Sequence, residues 1–185
     1  MNRILIVVDM QNDFINGSLG SEAAQAIVKN VVEKINSFNG AAIIKTMDSH
    51  EDNYLETQEG RNLPVEHCIL TSNGWHINGE VEDAICEFAR TKGIVRTVIK
   101  TTFGAKTLPS FIEDIMNLKA IQEKDLEIEL VGLDTDICVI SNALLVKAFF
   151  PEAKMKIDSS CCAGTSTAAH EAALAVAKSC QIEVI

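Results

Sequence analysis

The chain has 185 residues, 47% of them hydrophobic, with three prolines and ten glycines. This composition excludes a disordered or fibrous protein, and the length predicts one domain spanning residues 1–185. A formal net charge of -10 at pH 7 argues against a nucleic-acid partner, because phosphate backbones attract clusters of Lys and Arg, and it disfavours a membrane surface as well.

The N-terminal residues and the cysteines bear on cellular location. The apolar stretch after Arg3 turns acidic at Asp9, so it is too short for a secretion signal or a membrane span. The six cysteines are interpreted as reduced thiols, because no export signal accompanies them. No Cys-x-x-Cys pair is present, which disfavours a structural zinc ribbon. We therefore expect a cytoplasmic protein.

Short aliphatic runs alternate with longer amphipathic stretches along the whole chain. The runs predict β-strands at residues 4–8, 41–47, 94–100, 126–133, 153–157 and 182–185. Helical spacing of apolar residues predicts helices at 22–38, 79–91, 109–118, 137–150 and 166–180. This alternation is typical of parallel strands joined by crossover helices. The expected fold is α/β, a three-layer α/β/α sandwich around a mostly parallel, Rossmann-like sheet of about six strands.

Residues 48–78 form a long polar segment without a clear period, and such loops inside compact domains are usually functional. Asp48 and His50 are two residues apart in extended chain, so their side chains point the same way and can share one ion. His67 supplies a second imidazole. The segment is therefore a candidate metal-binding loop, with a merely solvated acidic loop as the alternative interpretation.

A second carboxylate would complete this candidate metal site. Glu56 is the first choice, with Glu59 as the substitute. Two imidazoles and two carboxylates suit a divalent ion, so zinc, manganese and iron all stay open. His170, by contrast, has no such company and is expected to be an ordinary helix-surface residue.

Three chemically active residues follow predicted strands. Asp9 comes directly after the first strand, Lys100 closes the third, and Cys138 follows the fourth through the short polar stretch 134–136. Ligands of open parallel sheets bind beyond the carboxyl ends of the strands, so these side chains are expected to meet at one edge of the sheet. Base, cation and nucleophile could then act together although they are far apart in sequence.

The proposed roles follow from charge. Lys100 and the start of the following helix are expected to lower the pKa of the Cys138 thiol, while Asp9 accepts its proton and later delivers it to a leaving amine. Backbone N–H groups of the strand-to-helix turn can hold the oxyanion. Taken singly, each residue has a structural interpretation as a cap, a solvated lysine or a small hydrophobe. Their convergence at one edge favours catalysis.

Three motifs resemble those of the isochorismatase-like cysteine hydrolases. They occupy residues 7–14, 100–104 and 132–139, in the same order as in that superfamily and across nearly the whole chain. Residues 48–50 and 67–68 look like the metal-ligand motifs of its nicotinamidase branch. The resemblance implies hydrolysis of a small carboxamide through a thioester intermediate, with release of ammonia. It also implies a bound metal ion, zinc above all, near the substrate ring.

The resemblance also assigns residues around the substrate. It implies an Asp9–Lys100–Cys138 triad, with Phe14 and Trp75 flanking a planar ring. The family tends to have a cis peptide before its Thr-Asp pair, here between Leu133 and Asp134. That bond would aim the N–H groups of Asp134 and Cys138 at the oxyanion. A homo-oligomer, dimer or tetramer, is a further expectation.

Asp134 is a departure from the family pattern. It stands where relatives usually carry a small or uncharged residue, and a carboxylate there would oppose a thiolate and an oxyanion unless it points away or is neutralised. The resemblance implies deamidation of nicotinamide to nicotinate. The departure at Asp134 bears on the substrate, so another small amide or carbamoyl compound is the alternative. A non-catalytic thiol sensor with Cys138 as its reactive group is the alternative of a different class.

Overall fold

The computed structural model describes residues 2–185, which build a six-stranded sheet in which all neighbouring strands are parallel. The strand order across the sheet is β3-β2-β1-β4-β5-β6. The strands are β1 (Arg3–Val8), β2 (Ala42–Asp48), β3 (Ile94–Lys100), β4 (Glu127–Leu133), β5 (Lys154–Ala163) and β6 (Glu183–Val184). The predicted α/β sandwich is confirmed, and its sheet is parallel throughout.

Helices cover both faces of the sheet. They are α1 (Asn12–Ile15), α2 (Glu22–Ser37), α3 (Gln58–Asn62), α4 (Gly79–Thr91), α5 (Leu108–Lys119), α6 (Ile140–Phe149) and α7 (Thr167–Ser179). Helices α2 and α4 pack against one face, and α5, α6 and α7 pack against the other. Both faces therefore bury apolar side chains, which explains why the strands read as continuous aliphatic runs.

Strand β1 shows how the two cores are separated. Its alternate residues Ile4, Ile6 and Val8 belong to the core beneath α5, α6 and α7, whereas Leu5 and Val7 belong to the core beneath α2 and α4. All five are fully buried. The period-2 geometry of a strand thus places β1 at the centre of the molecule, with its carboxyl end at Asp9.

The strands and helices that were predicted agree with the observed ones to within one residue except in two places, and the short helices α1 and α3 were not predicted. Strand β5 continues to Ala163, past the polar residues Asp158 to Ser160, because its backbone still pairs with β4 after a register shift. The helix expected from residue 137 starts instead as a π-helical turn, Thr135–Val139, that leads into α6. The polar residues within β5 therefore made the predicted strand too short, and apolar spacing did not distinguish the π-helical turn from the first turn of an α-helix.

Gly132 allows β4 to approach β1 closely. Its φ of 122° lies in a region that side-chain-bearing residues rarely adopt, and a Cβ placed there would lie 2.1 Å from the carbonyl oxygen of Val8. Only glycine fits this contact without a shift of backbone. The end of β4, and with it the turn that carries Cys138, is thereby held next to Asp9.

The cysteines, the apolar character of the helices and the polar segment 48–78 are three further features of the fold. All six cysteines are free thiols, as expected. In residues 2–185, none of the helices has both the length and the apolar composition that a bilayer crossing requires. The polar segment 48–78 contains the short helix α3 and a 3-10 turn, Tyr54–Glu56, so it is less irregular than its sequence predicts.

Candidate active site

Asp9, Lys100 and Cys138 meet at the carboxyl end of the sheet. The Nζ atom of Lys100 lies 2.8 Å from Oδ2 of Asp9 and 3.4 Å from Sγ of Cys138. Lys100 belongs to the edge strand β3, so its long side chain crosses the end of β2 to reach them. All three residues are buried. The sheet thus brings together the base, cation and nucleophile that the sequence predicts.

The backbone and side chain of Asp9 are both constrained. Its φ of 46° is left-handed, an uncommon and strained conformation for a residue other than glycine, and such strain clusters at functional sites. The hydroxyl of Thr46 donates to Asp9 Oδ1 over 2.7 Å and accepts from the Asp9 N–H over 3.2 Å. Oδ2 is buried and lies 2.8 Å from Nζ of Lys100, outside hydrogen-bond geometry. Because Thr46 occupies Oδ1, Oδ2 is the candidate oxygen for proton transfer.

Burial and charge set the protonation of Asp9 and Lys100. Burial raises the pKa of Asp9, although Lys100 acts in the opposite direction. Burial would lower the pKa of Lys100, but the negative charges of Asp9, Cys138 and Asp48 outweigh it and hold that pKa well above its ordinary value. The site therefore combines a permanent cation with a carboxylate that is more basic than usual.

Cys138 corrects one prediction. Burial, followed by the neighbouring Asp9, raises the pKa of its thiol well above the ordinary value, and Lys100 opposes this shift without reversing it. Lys100 does act to lower the thiol pKa, as expected, but the expected net lowering was wrong, because the sulfur lies buried inside a π-helical turn beside a carboxylate. A neutral thiol in this position can pass its proton to the neighbouring Asp9 when it attacks a substrate.

A cluster of possible metal ligands lies beside these residues. One ligand atom from each of its members lies within 4.8 Å of every other, and the members are Asp48, His50, Glu59 and His67. Glu56, the first choice from sequence, is exposed in the 3-10 turn and does not belong to the cluster. Its substitute Glu59 does, because Thr57 caps α3 by accepting from the Gly60 N–H and so starts a helix that turns Glu59 inward.

The donor atoms of this cluster fit a divalent cation. Nδ1 of His67 lies 2.8 Å from the carbonyl oxygen of Val65, which can only accept, so Nδ1 carries the proton and Nε2 keeps a free lone pair. His50 Nε2 and His67 Nε2 lie 3.0 Å and 3.6 Å from Asp48 Oδ2. Two imidazoles and two carboxylates around one point are a donor set that zinc, manganese or iron accepts.

Asp48 links the cluster to the triad. Its Oδ1 accepts a hydrogen bond from Lys100 Nζ over 3.0 Å while Oδ2 faces the two imidazoles. Burial acts to raise the pKa of Asp48, but the neighbouring imidazoles of His50 and His67 and the charge of Lys100 outweigh it and hold that pKa well below its ordinary value. Asp48 is thus ionised, as a metal ligand must be.

Two positioning residues were missed from the sequence. The side chain of Gln11 donates to the carbonyl oxygens of Asp48 and Trp75, both over 2.8 Å, and accepts from the Asp48 N–H over 2.7 Å. Thr46 holds Asp9, as described above. Both residues are polar and fully buried. A polar residue just beyond a predicted strand (Gln11) or within one (Thr46) is the sequence signal that could have indicated them.

The turn that carries Cys138 is held from two sides. Asn142 donates to the Cys138 carbonyl oxygen over 2.8 Å and accepts from the Ala105 N–H over 2.8 Å. Thr135 Oγ1 lies 2.8 Å from Nδ1 of His170. His170 is therefore not an ordinary surface residue, since it ties α7 to the nucleophile's turn. Nothing in its local sequence indicates this partner.

A cavity of about 370 Å³ opens onto the sulfur of Cys138. Its wall includes Phe14, Asp48, Glu59, His67 and Asp134. The Phe14 ring lies 5.5 Å from that of His67, so an aromatic side chain does border the cavity, as predicted. Cys138 of the triad and three residues of the metal cluster therefore face one small space.

A family model described as the Isochorismatase domain matches residues 3–185. The chain belongs to the isochorismatase family. Among curated proteins, no sequence matches it. The structure of nicotinamidase/pyrazinamidase PncA from Bacillus subtilis is similar, with a TM-score of 0.82 and 27% identity over 100% of this chain and 99% of that one.

Two further isochorismatase-type structures are similar in fold. Pyrazinamidase of Pyrococcus horikoshii, in complex with zinc, has a TM-score of 0.76 and 22% identity over 100% of this chain and 99% of its own. N-carbamoylsarcosine amidase from Thermoplasma acidophilum has a TM-score of 0.70 and 20% identity over 100% and 95%. At such identities the likeness establishes the fold alone. The match of the family model to residues 3–185 confirms the predicted membership of the isochorismatase-like superfamily.

Two predictions carried over from the isochorismatase-like pattern were wrong. Residues 2–185 contain no cis peptide, so the bond between Leu133 and Asp134 is trans. Trp75 does not line the cavity beside Cys138, because its indole N–H donates to Ser49 Oγ over 2.7 Å and its ring packs against the core beneath α2 and α4. The resemblance thus placed Trp75 in the pocket, whereas the hydrogen bond to Ser49 holds its ring outside the cavity.

Proposed function

We propose that this isochorismatase-family hydrolase deamidates nicotinamide to nicotinate and ammonia through a thioester on Cys138. The observation that carries the proposal is the shared cavity, which is lined by the nucleophile Cys138 and by three of the four metal-cluster residues, Asp48, Glu59 and His67. Lys100, which pairs with Asp9, lies 3.4 Å from the Cys138 sulfur. The volume of the cavity suits a small planar amide, since ligand pockets start near about 300 Å³. The similar Bacillus subtilis structure, at 27% identity, is of a nicotinamidase.

Attack by sulfur is the first chemical step. As Sγ of Cys138 bonds to the amide carbon, the thiol proton passes to Oδ2 of Asp9 and the carbonyl π pair moves onto oxygen. The N–H groups of Asp134 and Cys138 are the proposed oxyanion donors, at the start of a helical turn where N–H groups lack helical partners. Lys100 keeps its charge and stabilises the negative charge that develops beside it.

Release of ammonia and hydrolysis complete the cycle. The oxyanion collapses, the C–N bond breaks, and the proton on Asp9 passes to the leaving nitrogen, which departs as ammonia. Asp9 then removes a proton from a water molecule as the water oxygen attacks the thioester carbon. The C–S bond breaks, that proton returns to sulfur, and the acid and the Cys138 thiol are released. The raised pKa of Asp9 suits a group that both takes and gives a proton.

The metal cluster has a supporting part in this proposal. Asp48, His50, Glu59 and His67 would hold the ion, for which we propose zinc. When bound, a divalent cation supplies Lewis acidity toward a donor atom of the substrate or of water. Asp48 would then serve both the ion and Lys100. A homo-oligomer in the cytoplasm is the proposed form of the enzyme, and light scattering measures its mass.

A second candidate keeps the chemistry and changes the substrate. A larger cleft of about 860 Å³ adjoins the cavity beside Cys138. The two share four lining residues, Glu59, Leu63, Phe103 and Ile137. A continuous space of this size accepts an acyl group larger than one ring. Another small amide or carbamoyl compound is therefore the alternative substrate class.

Incubation of the zinc-loaded protein with nicotinamide tests the proposal. We expect ammonia and nicotinate in equal amounts, and a hydroxamate when hydroxylamine is added to intercept the thioester. The control is Cys138→Ala, which removes the nucleophile from a buried position that tolerates a small side chain. Release of ammonia from other amides but not from nicotinamide supports the second candidate, and no release from any amide supports a thiol sensor.

A further inference from the structure

The side chain of Asp134 does not cap the turn that carries Cys138, although the residue occupies its N-cap position. An aspartate at that position normally accepts a hydrogen bond from the first N–H groups, yet the side chain of Asp134 makes no such bond. The residue instead lines the cavity that opens onto Cys138. Its carboxyl group is therefore available to whatever that cavity binds.

The other acidic groups near this cavity have partners. Asp9 is paired with Lys100, and Asp48 with Lys100 and two imidazoles. Glu59 faces the same imidazoles, within the cluster that fits a divalent cation. Asp134 has no such positive partner.

No lysine or arginine among residues 2–185 lines the wall of this cavity. An anionic group on a ligand would therefore have no cation to pair with except those already engaged. It would also lie near the Asp134 carboxyl in a space largely withdrawn from water, where like charges repel more strongly than in solution. Burial, with the nearby Asp136 and Asp9, raises the pKa of Asp134 to about 7, and His67 opposes this shift without reversing it. A raised pKa agrees with a site in which a further negative charge is unfavourable.

We propose that Asp134 is a specificity-determining residue whose carboxyl group faces the bound amide and restricts the enzyme to amides without a negative charge. The inference rests on the proposed amide hydrolysis and narrows its substrate class. Uncharged aromatic amides are accepted. Amides that bear a carboxylate, including carbamoyl derivatives of amino acids, are rejected because the site would hold two unpaired acids together.

A pair of matched substrates tests this proposal. The nitro group of 3-nitrobenzamide has nearly the shape of the carboxylate in 3-carbamoylbenzoate but carries no net charge, and the 4-substituted pair covers a second orientation. We expect wild-type kcat/KM to favour the nitro compound by roughly 100-fold or more, and Asp134→Asn to reduce that ratio by about tenfold. An unchanged ratio in Asp134→Asn, for both pairs, overturns the proposal.

Asp136→Asn is the matched control. Asp136 lies on the same turn, but its carboxylate accepts from the N–H and the hydroxyl of Thr165, over 2.9 Å and 2.6 Å, and does not line the cavity. Asp136→Asn therefore removes one negative charge from the same turn while keeping a side chain of the same shape beside Thr165, a residue of the cavity wall. We expect its nitro-to-carboxylate ratio to be at least that of the wild type, because loss of the Asp136 charge leaves Asp134 more readily ionised. A drop as large as in Asp134→Asn contradicts a specific role for Asp134.

Binding separates this inference from the proposed function. In a Cys138→Ala background, calorimetry measures the affinity for 3-carbamoylbenzoate without turnover. We expect Asp134→Asn to bind it about tenfold more tightly than the parent while affinity for 3-nitrobenzamide changes little. Equal affinity in parent and variant overturns the inference. If the wild type hydrolyses no amide but the affinities change as expected, the proposed reaction fails and the assignment of Asp134 stands.

Discussion

At the scale of single residues, the site depends on groups that each meet two demands. Asp48 accepts from Lys100 with one oxygen and faces the metal cluster with the other. Asp9 uses Oδ1 for Thr46 and leaves Oδ2 for proton transfer. In each carboxylate the two oxygens have different partners, so replacement by the amide should remove one interaction and keep the other.

Asp9→Asn is expected to remove the base while keeping the shape of the side chain. The rate constant kcat for amide hydrolysis should fall by about 10²–10⁴-fold, the usual effect of losing a general acid–base, with KM much less affected. Steady-state kinetics measure both, and circular dichroism checks that the fold is kept. Retention of more than half of kcat would contradict the assignment of Asp9.

Glu59→Gln and Glu56→Gln form a matched pair for the metal cluster. Glu59 lies within ligand distance of the imidazoles, whereas Glu56 is exposed and outside the cluster. We expect zinc affinity, measured by competition with a chromophoric chelator, to fall by at least about tenfold in Glu59→Gln and to stay unchanged in Glu56→Gln. The reverse order would restore the ligand first chosen from the sequence.

At the scale of elements, the strand-to-helix connection after β4 determines where the nucleophile lies. Gly132 brings β4 against β1, and the π-helical turn then places Cys138 beside Asp9 and Lys100. Asn142 and His170 hold that turn from α6 and α7. The contacts made by Gly132 and His170 join elements distant in sequence, so a disturbance at this connection should affect the whole fold.

Gly132→Ala is expected to destabilise the protein strongly. The added Cβ would lie 2.1 Å from the Val8 carbonyl oxygen at a φ of 122°. Overpacking and backbone strain together predict a loss of about 2–4 kcal/mol in the free energy of unfolding, measured with urea. The control is Gly79→Ala at the start of α4, where an added Cβ meets nothing within 4 Å. Equal stability of the two variants would rule out the close-approach explanation.

At the scale of the whole molecule, a second charged network lies away from the site. Lys34 of α2 contacts Glu129 of β4 and Asp158 of β5, each over 2.6 Å. The α2 helix is thereby tied to two strands of the sheet by a partly buried cation. Hydrogen bonds from Lys34 and Ser160 outweigh burial and lower the pKa of Asp158, while Asp158 and Glu129 outweigh burial and raise the pKa of Lys34.

This network predicts a pH window for stability. Since the pKa of Asp158 is lowered from 3.8 on folding, its contribution is present above pH 3.8 and is lost as the pH falls through the folded value. Since the pKa of Lys34 is raised from 10.5, its contribution is present below pH 10.5 and is lost as the pH rises through the folded value. Asp158→Asn should therefore lower Tm at neutral pH and match the wild type at both extremes.

Thermal melts of the wild type and Asp158→Asn between acid and alkaline pH measure this window. The control is Glu33→Gln, because Glu33 forms only an exposed contact of 3.9 Å with Lys29, and such surface pairs contribute little. We expect the control to follow the wild type throughout. A Tm difference for Asp158→Asn that is constant with pH would show that packing, not charge, explains its effect.

The sequence by itself determined the strands, most helix boundaries and the residues of the triad, because apolar periodicity and polar residues at strand ends are local signals. Only the tertiary structure decided that Glu59 replaces Glu56, that Trp75 lies outside the pocket and that Asp48 serves Lys100 as well as the cluster. The direction of the Cys138 pKa shift was also decided there, because burial and Asp9 act through space. Distances and desolvation between residues remote in sequence leave no local pattern to read.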